Sequence, residues 1–231
     1  MTKKKLVVLT GAGVSAESGI ATFRDSNGLW EGHDVMAVAS PEGWAKNKSL
    51  VLEFYNQRRK QALTAQPNEG HKIIAELEQY FDTTVITQNV DNLHEKAGST
   101  NIIHLHGELF KSQSTVDKNL IYTMESWELK LGDVCAKGSQ LRPYIVWFGE
   151  SVPLMSVAAE ICRLADYFIV VGTSLVVYPA ASLIDYVPKN TTKYIIDPKK
   201  PAISSYKNTI FIEEKGTIGM QQVREILLKE L

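Results

Sequence analysis

The stretch "LTGAGVSAESGIATFRDSNGLW", residues 9–30, opens like a dinucleotide-binding turn and then departs from one. Gly11, Gly13 and Ala16 follow the apolar run "KLVVLT" at 5–10 and satisfy the G-x-G-x-x-G/A spacing. In that pattern the glycines let backbone amides and a helix N-terminus approach a pyrophosphate. A dehydrogenase next shows a helix, a second strand and, about 20 residues on, an acidic residue for the adenosine ribose. Here the chain reads "TFRDSNGLWEGHD" at 22–34, which predicts no strand. Taken alone, the glycines fit equally a turn that only packs a helix on a strand. A second site shifts the balance, because in "VVGTSLVVYPAA" at 170–181 Gly172, Thr173 and Ser174 leave an apolar run. Ligands of open α/β sheets bind at such strand C-terminal ends.

Further apolar runs lie at 83–88, 101–106, 143–149, 166–173, 193–197 and 208–212, with helical patterns at 41–64, 68–80, 91–97, 153–165, 179–187 and 217–230 between them. Continuous β-branched runs without alternation suit strands buried on both faces. The alternation predicts an α/β fold with a Rossmann-like parallel sheet. Two segments do not fit: 31–71, helical and carrying Trp44, Phe54 and Tyr55, and 111–142, polar and weakly periodic. They are expected to form one small inserted lobe, leaving 1–30, 72–110 and 143–231 for the large one.

Composition narrows the class. The 231 residues are 44% hydrophobic, enough for one substantial core, and 25 basic against 26 acidic residues leave a formal charge of -1. That balance makes neither nucleic acid nor an anionic membrane an obligatory partner. The basic start "MTKKK" precedes too short an apolar run for a signal peptide, and no run of 18 apolar residues occurs. With two cysteines, Cys135 and Cys162, the chain suits a reducing cytoplasm. It is expected to be a cytoplasmic monomer, with Cys162 a core residue.

Polar residues cluster after two of the runs. "ITQNVDNLHEKAG" at 86–98 places Gln88, Asn89 and Asp91 beyond one strand, and "IIHLHGEL" at 102–109 places His104 and His106 at the end of another. If these strands neighbour the first, an amide, a carboxylate and an imidazole converge on the mouth of the glycine turn. Such convergence suits chemistry at a ribose better than hydride transfer, and an imidazole is a suitable general base near neutral pH. His106 is the favoured base. His94 reads as a surface residue of a polar helix, and His33 and His71 as turn or surface residues.

These motifs together resemble the sirtuins, NAD-dependent protein-lysine deacylases. "GAGVSAESGIATFR", "TQNVDNLH", "LHGEL", "VWFGE" and "GTSLVVYPAA" match that family in order and spacing over nearly the whole chain. The resemblance implies NAD as cosubstrate and acylated lysines of proteins as partners. It places Gly11, Ala12, Gly13, Ser15 and Ala16 at the pyrophosphate loop and Phe23 and Arg24 by the nicotinamide ribose. Gln88, Asn89 and Asp91 would line the ribose and carboxamide pocket, with His106 as base and Asn89 and Asp91 also serving catalysis. Gly172, Thr173 and Ser174 would take the phosphate or adenosine side, Asp197 the adenosine ribose and Ile218 the adenine edge. Val146, Phe148, Gly149 and Glu150, with Val176 and Val177, would flank a substrate peptide bound as an added strand. The implied reaction moves the acyl group to ADP-ribose and releases nicotinamide.

Within "LEFYNQRRKQ" at 52–61, Tyr55 and Arg58 stand three apart on one helix face. Taken alone, Arg58 reads as an exposed side chain paired with Glu53 or solvated; similar Tyr-x-x-Arg pairs, however, mark sirtuins that accept acidic acyl groups, and a guanidinium fork grips a carboxylate as lysine cannot. The expected substrates are therefore succinyl- and malonyl-lysine as well as acetyl-lysine. Most sirtuins bind a structural zinc through four cysteines, whereas here Cys135 stands alone and Ser114 looks like a lost ligand. No metal is expected, and Leu120, Ile121, Tyr122, Trp127, Leu129 and Leu131 would hold the lobe instead. Ala21, Val90 and Asp197 are smaller departures; a carboxylate at 197 would disfavour an extra phosphate and so suits NAD over NADP. Two competing readings share the pocket: an NAD glycohydrolase or ADP-ribosyltransferase, and a non-catalytic NAD-binding module.

Overall fold

A computed structural model describes residues 2–20, 32–200 and 207–231, together with the backbone of Leu29 and Trp30. Phe23, Arg24 and Ala21 lie outside the described residues. The strands are β1 (Lys5–Thr10), β2 (Leu29–Trp30), β3 (His33–Asp34), β4 (Asp82–Thr87), β5 (Ile102–His104), β6 (Gly107–Ser114), β7 (Ile121–Thr123), β8 (Leu141–Ile145), β9 (Tyr167–Val171), β10 (Thr192–Ile196) and β11 (Thr209–Ile212). The helices are α1 (Ala12–Ala16), α2 (Val35–Val38), α3 (Pro41–Lys46), α4 (Lys48–Thr64), α5 (Glu69–Leu77), α6 (Leu93–Ala97), α7 (Met155–Arg163), α8 (Leu183–Tyr186) and α9 (Gly216–Lys229).

Six strands form a parallel sheet in the order β11-β10-β9-β1-β4-β5. Side chains alternate across it, and both faces are covered. Leu6 and Val8 of β1 join Val85, Ile169, Val171 and Ile196 beneath Ile73, Ile74 and Leu77 of α5 and Met220 and Val223 of α9. Val7 and Leu9 join Ile86, Phe168, Val170 and Ile195 beneath Ala158 and Cys162 of α7 and Leu183 and Ile184 of α8. This double cover is why the runs read as continuously apolar. Each such side chain contributes about 1.5–3 kcal/mol of burial. Cys162 is a core residue, as expected, at 0% exposure.

The apolar run at 143–149 behaves differently. It does not enter the parallel sheet; β8 pairs antiparallel with β6, which pairs antiparallel with β7. The cause is the turn after β5, where Gly107 has φ 85° and a Cβ would stand 2.1 Å from the Tyr144 carbonyl oxygen. The chain therefore leaves the sheet, and β8 finds β6 as partner. Its burial then alternates, with Pro143 and Ile145 inward, against a cluster with Trp44, Val51, Phe54, Tyr55, Leu109 and Trp147. In 22–34, where no strand was expected, β2 and β3 form a minimal antiparallel pair of two residues each.

The helix expected over 41–64 is two helices. Asn47 ends α3 and caps α4, its Oδ1 accepting from the Leu50 amide at 3.0 Å, which satisfies one of the donors that every helix start leaves open. The lobe built on α4 is held less by apolar residues than expected: Leu129 is buried, but Ile121 and Leu131 are 40% and 55% exposed. Polar side chains substitute. Asn56 donates to the Leu129 carbonyl at 3.1 Å and accepts from the Leu129 amide at 2.9 Å. Arg59, wholly buried, donates to the carbonyls of Trp127 at 2.6 Å and Leu109 at 3.2 Å. Burial lowers its pKa to about 10, so it remains charged at neutral pH.

Candidate active site

The C-terminal ends of β1, β4, β5 and β9 meet at one cavity of about 530 Å³. The chain leaves β1 for β4 on one side and returns to β9 on the other, which makes this a switch point of the sheet, where ligands bind. Gly11, Ala12 and Gly13 line the cavity from β1, Gln88, Asn89 and Asp91 from β4, His106 from the turn after β5, and Gly172, Thr173 and Ser174 from β9. Tyr55, Arg58, Val146, Phe148, Gly149, Glu150, Val176 and Val177 line it too. Ser15 sits behind this wall, bonded to two of its members. Ala16 is exposed, while Asp197 is buried and Ile218 is 45% exposed, and none of the three lines the cavity.

The glycines interlock. Gly11 N donates to the Val171 carbonyl at 3.1 Å and Gly13 N to the Gly172 carbonyl at 2.7 Å. A Cβ on Gly13 would lie 2.7 Å from Gly172 Cα, and one on Gly172, at φ 67°, would lie 2.1 Å from Val14 N. The amides of Gly11 and Gly13 thus serve the packing of two turns. The Ala12 amide, at the first position of α1, has no intrahelical acceptor.

Polar groups around the mouth are tightly fixed. Asn89 donates its side-chain amide to the Gly11 carbonyl and to Ser15 Oγ, both at 3.1 Å. Ser15 donates to Asp91 Oδ2 at 3.1 Å, and Asp91 Oδ1 accepts from the Leu93 amide at 3.1 Å. Burial raises the Asp91 pKa, against those two hydrogen bonds. Gln88 donates to Thr173 Oγ1 at 3.2 Å, joining the ends of β4 and β9.

His106 Nδ1 lies 3.1 Å from the Gln88 carbonyl oxygen. A carbonyl only accepts, so Nδ1 carries the proton and Nε2 keeps its lone pair. Burial lowers the pKa despite that bond, and the ring is neutral at pH 7. His104 bridges the Asn89 carbonyl oxygen at 3.1 Å and Glu95 Oε1 at 2.7 Å. Burial is the largest single influence and lowers its pKa, but the bond and charge of Glu95, the bond to the Asn89 carbonyl and the charge of Glu108 together outweigh it and the net shift is upward.

Two histidines read as turn or surface residues are in fact fully buried beside this network. His71 and His94 lie with ring centroids 4.9 Å apart. His94 Nε2 contacts Thr10 Oγ1 at 3.0 Å and His71 Nε2 contacts Ser15 Oγ at 3.5 Å. Burial lowers His71 to about 4, and His94 is also well below its ordinary value. Their polar neighbours in sequence concealed them, because the partners stand 84 and 56 residues away.

The remaining wall comes from α4 and the turn after β8. Tyr55 and Arg58 are 0% and 8% exposed, and burial pushes the Tyr55 phenol up to about 12. One position further along the helix, Asn56 and Arg59 face the small lobe instead. Val146 N donates to the His106 carbonyl at 2.9 Å and Phe148 N to the Ala39 carbonyl at 3.0 Å. Glu150 accepts from both terminal nitrogens of Arg142, at 2.8 and 2.9 Å, and from Trp147 N at 2.9 Å. Trp147 also lines the cavity, and Arg142 braces it from behind; alternation along "RPYIVWF" was the available signal for Trp147.

A parallel sheet with its polar cluster at the switch point, facing a second wall from an inserted lobe, defines a nucleotide-using α/β enzyme class. The model of the Sir2 family matches residues 11–179, and the chain belongs to that family. It is 53% identical over 226 residues to the NAD-dependent protein deacylase of Helicobacter pylori strain 26695, covering 98% of both chains. It is 52% identical over 231 residues to the NAD-dependent protein deacylase of Bacteroides thetaiotaomicron, covering 97% of this chain and 98% of that one. A solved Sir2 homolog–NAD complex superposes with a TM-score of 0.87 at 40% identity, covering 99% of this chain and 91% of the other.

Proposed function

We propose that this chain removes acyl groups from protein lysines with NAD as cosubstrate, and that it accepts succinyl- and malonyl-lysine beside acetyl-lysine. At the level of class it is an NAD-dependent protein deacylase, like relatives at 52–53% identity over nearly the whole chain. The narrower reading is carried by one observation: a phenol and a guanidinium, both buried, stand in the wall of the cavity that holds His106. A buried guanidinium favours a ligand carboxylate, which it binds through two parallel N–H bonds.

The residues present fit NAD. The cavity is of cofactor size, and its polar groups converge where strand ends meet. NAD supplies the electrophilic ribose carbon, with nicotinamide as leaving group, and the acyl group ends on ADP-ribose. In this reading Ala12 N, Thr173 and Ser174 hold phosphate, and Gln88, Asn89 and Asp91 hold the nicotinamide ribose and carboxamide. Asp197 and Ile218 serve the adenosine end. His106 Nε2 takes a ribose hydroxyl proton, its tautomer set by the Gln88 carbonyl. Val146, Phe148 and Gly149 flank the peptide with Val176 and Val177.

The small lobe joins a helical segment, 31–71, to 111–142, and 111–142 is read as the remnant of a zinc-binding module that has lost its metal. Ser114 Oγ accepts from the amides of Val116 at 3.2 Å and Asp117 at 3.1 Å, so a hydroxyl organises the turn where a thiolate would coordinate. Mass spectrometry of products from matched acetyl- and succinyl-lysine peptides with NAD tests the function. Succinyl-ADP-ribose from wild type is expected, falling by about 100-fold or more in His106→Ala. Free ADP-ribose with both peptides intact would instead identify an NAD glycohydrolase.

A further inference from the structure

Trp147, 2% exposed, lines the cavity beside Tyr55, and its indole N–H donates to the Tyr55 hydroxyl oxygen at 3.1 Å. Indole nitrogen is a donor only, so in this bond the phenol must accept. Tyr55 keeps its own proton, and among the described residues no acceptor is bonded to it. A wholly buried phenol in a cavity wall, with its proton unspent, calls for an acceptor on the ligand.

The Arg142 guanidinium carbon lies 3.4 Å from the centroid of the Trp147 ring, and a cation over an indole draws electron density from the N–H and strengthens it as a donor. Arg142 is anchored in turn by Glu150 and by the Ile145 carbonyl at 2.8 Å. Glu150 therefore works as a strut of this turn, its carboxylate already engaged by Arg142 and by the Trp147 amide.

We propose that Trp147 is a specificity-determining positioning residue: by donating to Tyr55 it commits the phenol's own proton to an oxygen at the far end of the bound acyl group. A carboxylate is an acceptor only and matches that proton, with Arg58 beside it; an acetyl group has no oxygen there. The inference rests on the reading that the pocket takes carboxylate-tipped acyl groups.

The test compares kcat/KM on matched succinyl- and acetyl-lysine peptides for wild type, Trp147→Phe, Tyr55→Phe and the double variant. Trp147→Phe is expected to lower the succinyl-to-acetyl ratio by about five- to tenfold, with no further drop when added to Tyr55→Phe. Equal losses on both peptides, or independent effects that multiply, would overturn the inference while leaving wild-type desuccinylation in place. Wild type that deacetylates but never desuccinylates overturns the acyl reading itself, and this inference with it. Should Trp147→Phe not fold, indole ¹⁵N spectra decide, since the chain has only four tryptophans. Succinyl peptide should shift one indole resonance of wild type, acetyl peptide should not, and Tyr55→Phe should abolish the difference, because hydrogen bonds in series polarise one another. Identical shifts with both peptides would refute the role.

Discussion

The two walls of the cavity are built on opposite principles. The strand-end wall rests on a sheet buried on both faces, where Leu6, Val8, Phe168 and Val170 have exposures of 0%. The acyl wall rests on α4 and the turn after β8, which are fixed by charged and amide side chains bonded to backbone: Asn56, Arg59, Arg142 and Glu150. The first wall resists change because apolar packing is dense and cooperative. The second is specified bond by bond, so single substitutions there can redirect substrate choice while the fold persists.

The sharpest way to break this contrast is Phe168→Ala. Loss of a large ring from the sheet core should cost about 3–5 kcal/mol in chemical denaturation. A loss below 1 kcal/mol would mean the sheet is no more cooperative than the other wall.

Acid should act on the strand-end wall first. Above pH 6.5 His71 is neutral in both folded and unfolded chains, and below that the unfolded chain takes a proton that the buried ring resists down to about 4. Stability should therefore be full above pH 6.5 and fall on the order of 3 kcal/mol by pH 4, with His94 adding in the same direction. His71→Leu should flatten that slope; an unchanged slope would remove the histidine from the explanation.

On the acyl wall, Arg58→Met should cost roughly 1.5–3 kcal/mol in kcat/KM for desuccinylation and leave deacetylation nearly intact. Equal losses would show that Arg58 supports the wall and does not read the ligand. The smallest effect is expected from a chelator. Excess EDTA should leave the unfolding midpoint unmoved and elemental analysis should find no stoichiometric zinc, since Ser114 already organises its turn through two amides; a lowered midpoint would restore the metal.

The sequence made the same contrast visible in advance. Strands of the parallel sheet were legible because burial on both faces leaves unbroken apolar runs. β8 was misplaced because "PYIVWFG" looks equally unbroken, although its partner is the largely polar β6, "GELFKSQS". Tyr55 and Arg58 stood out only through the resemblance to sirtuins with a Tyr-x-x-Arg pair, since their i, i+3 spacing alone fits a solvated arginine equally well. Asn56 and Arg59 form the same spacing, but their partners are carbonyls at 109, 127 and 129, which no local pattern announces. His71 and His94 were hidden for the same reason.

The back-to-back glycine turns carry a consequence for anyone diversifying this protein. Positions 13 and 172 are not two independent choices, since each occupies the volume that a side chain on the other would need. Libraries that randomise either loop alone should return only the parent residue there, and recombination between homologues should succeed when both turns come from the same parent.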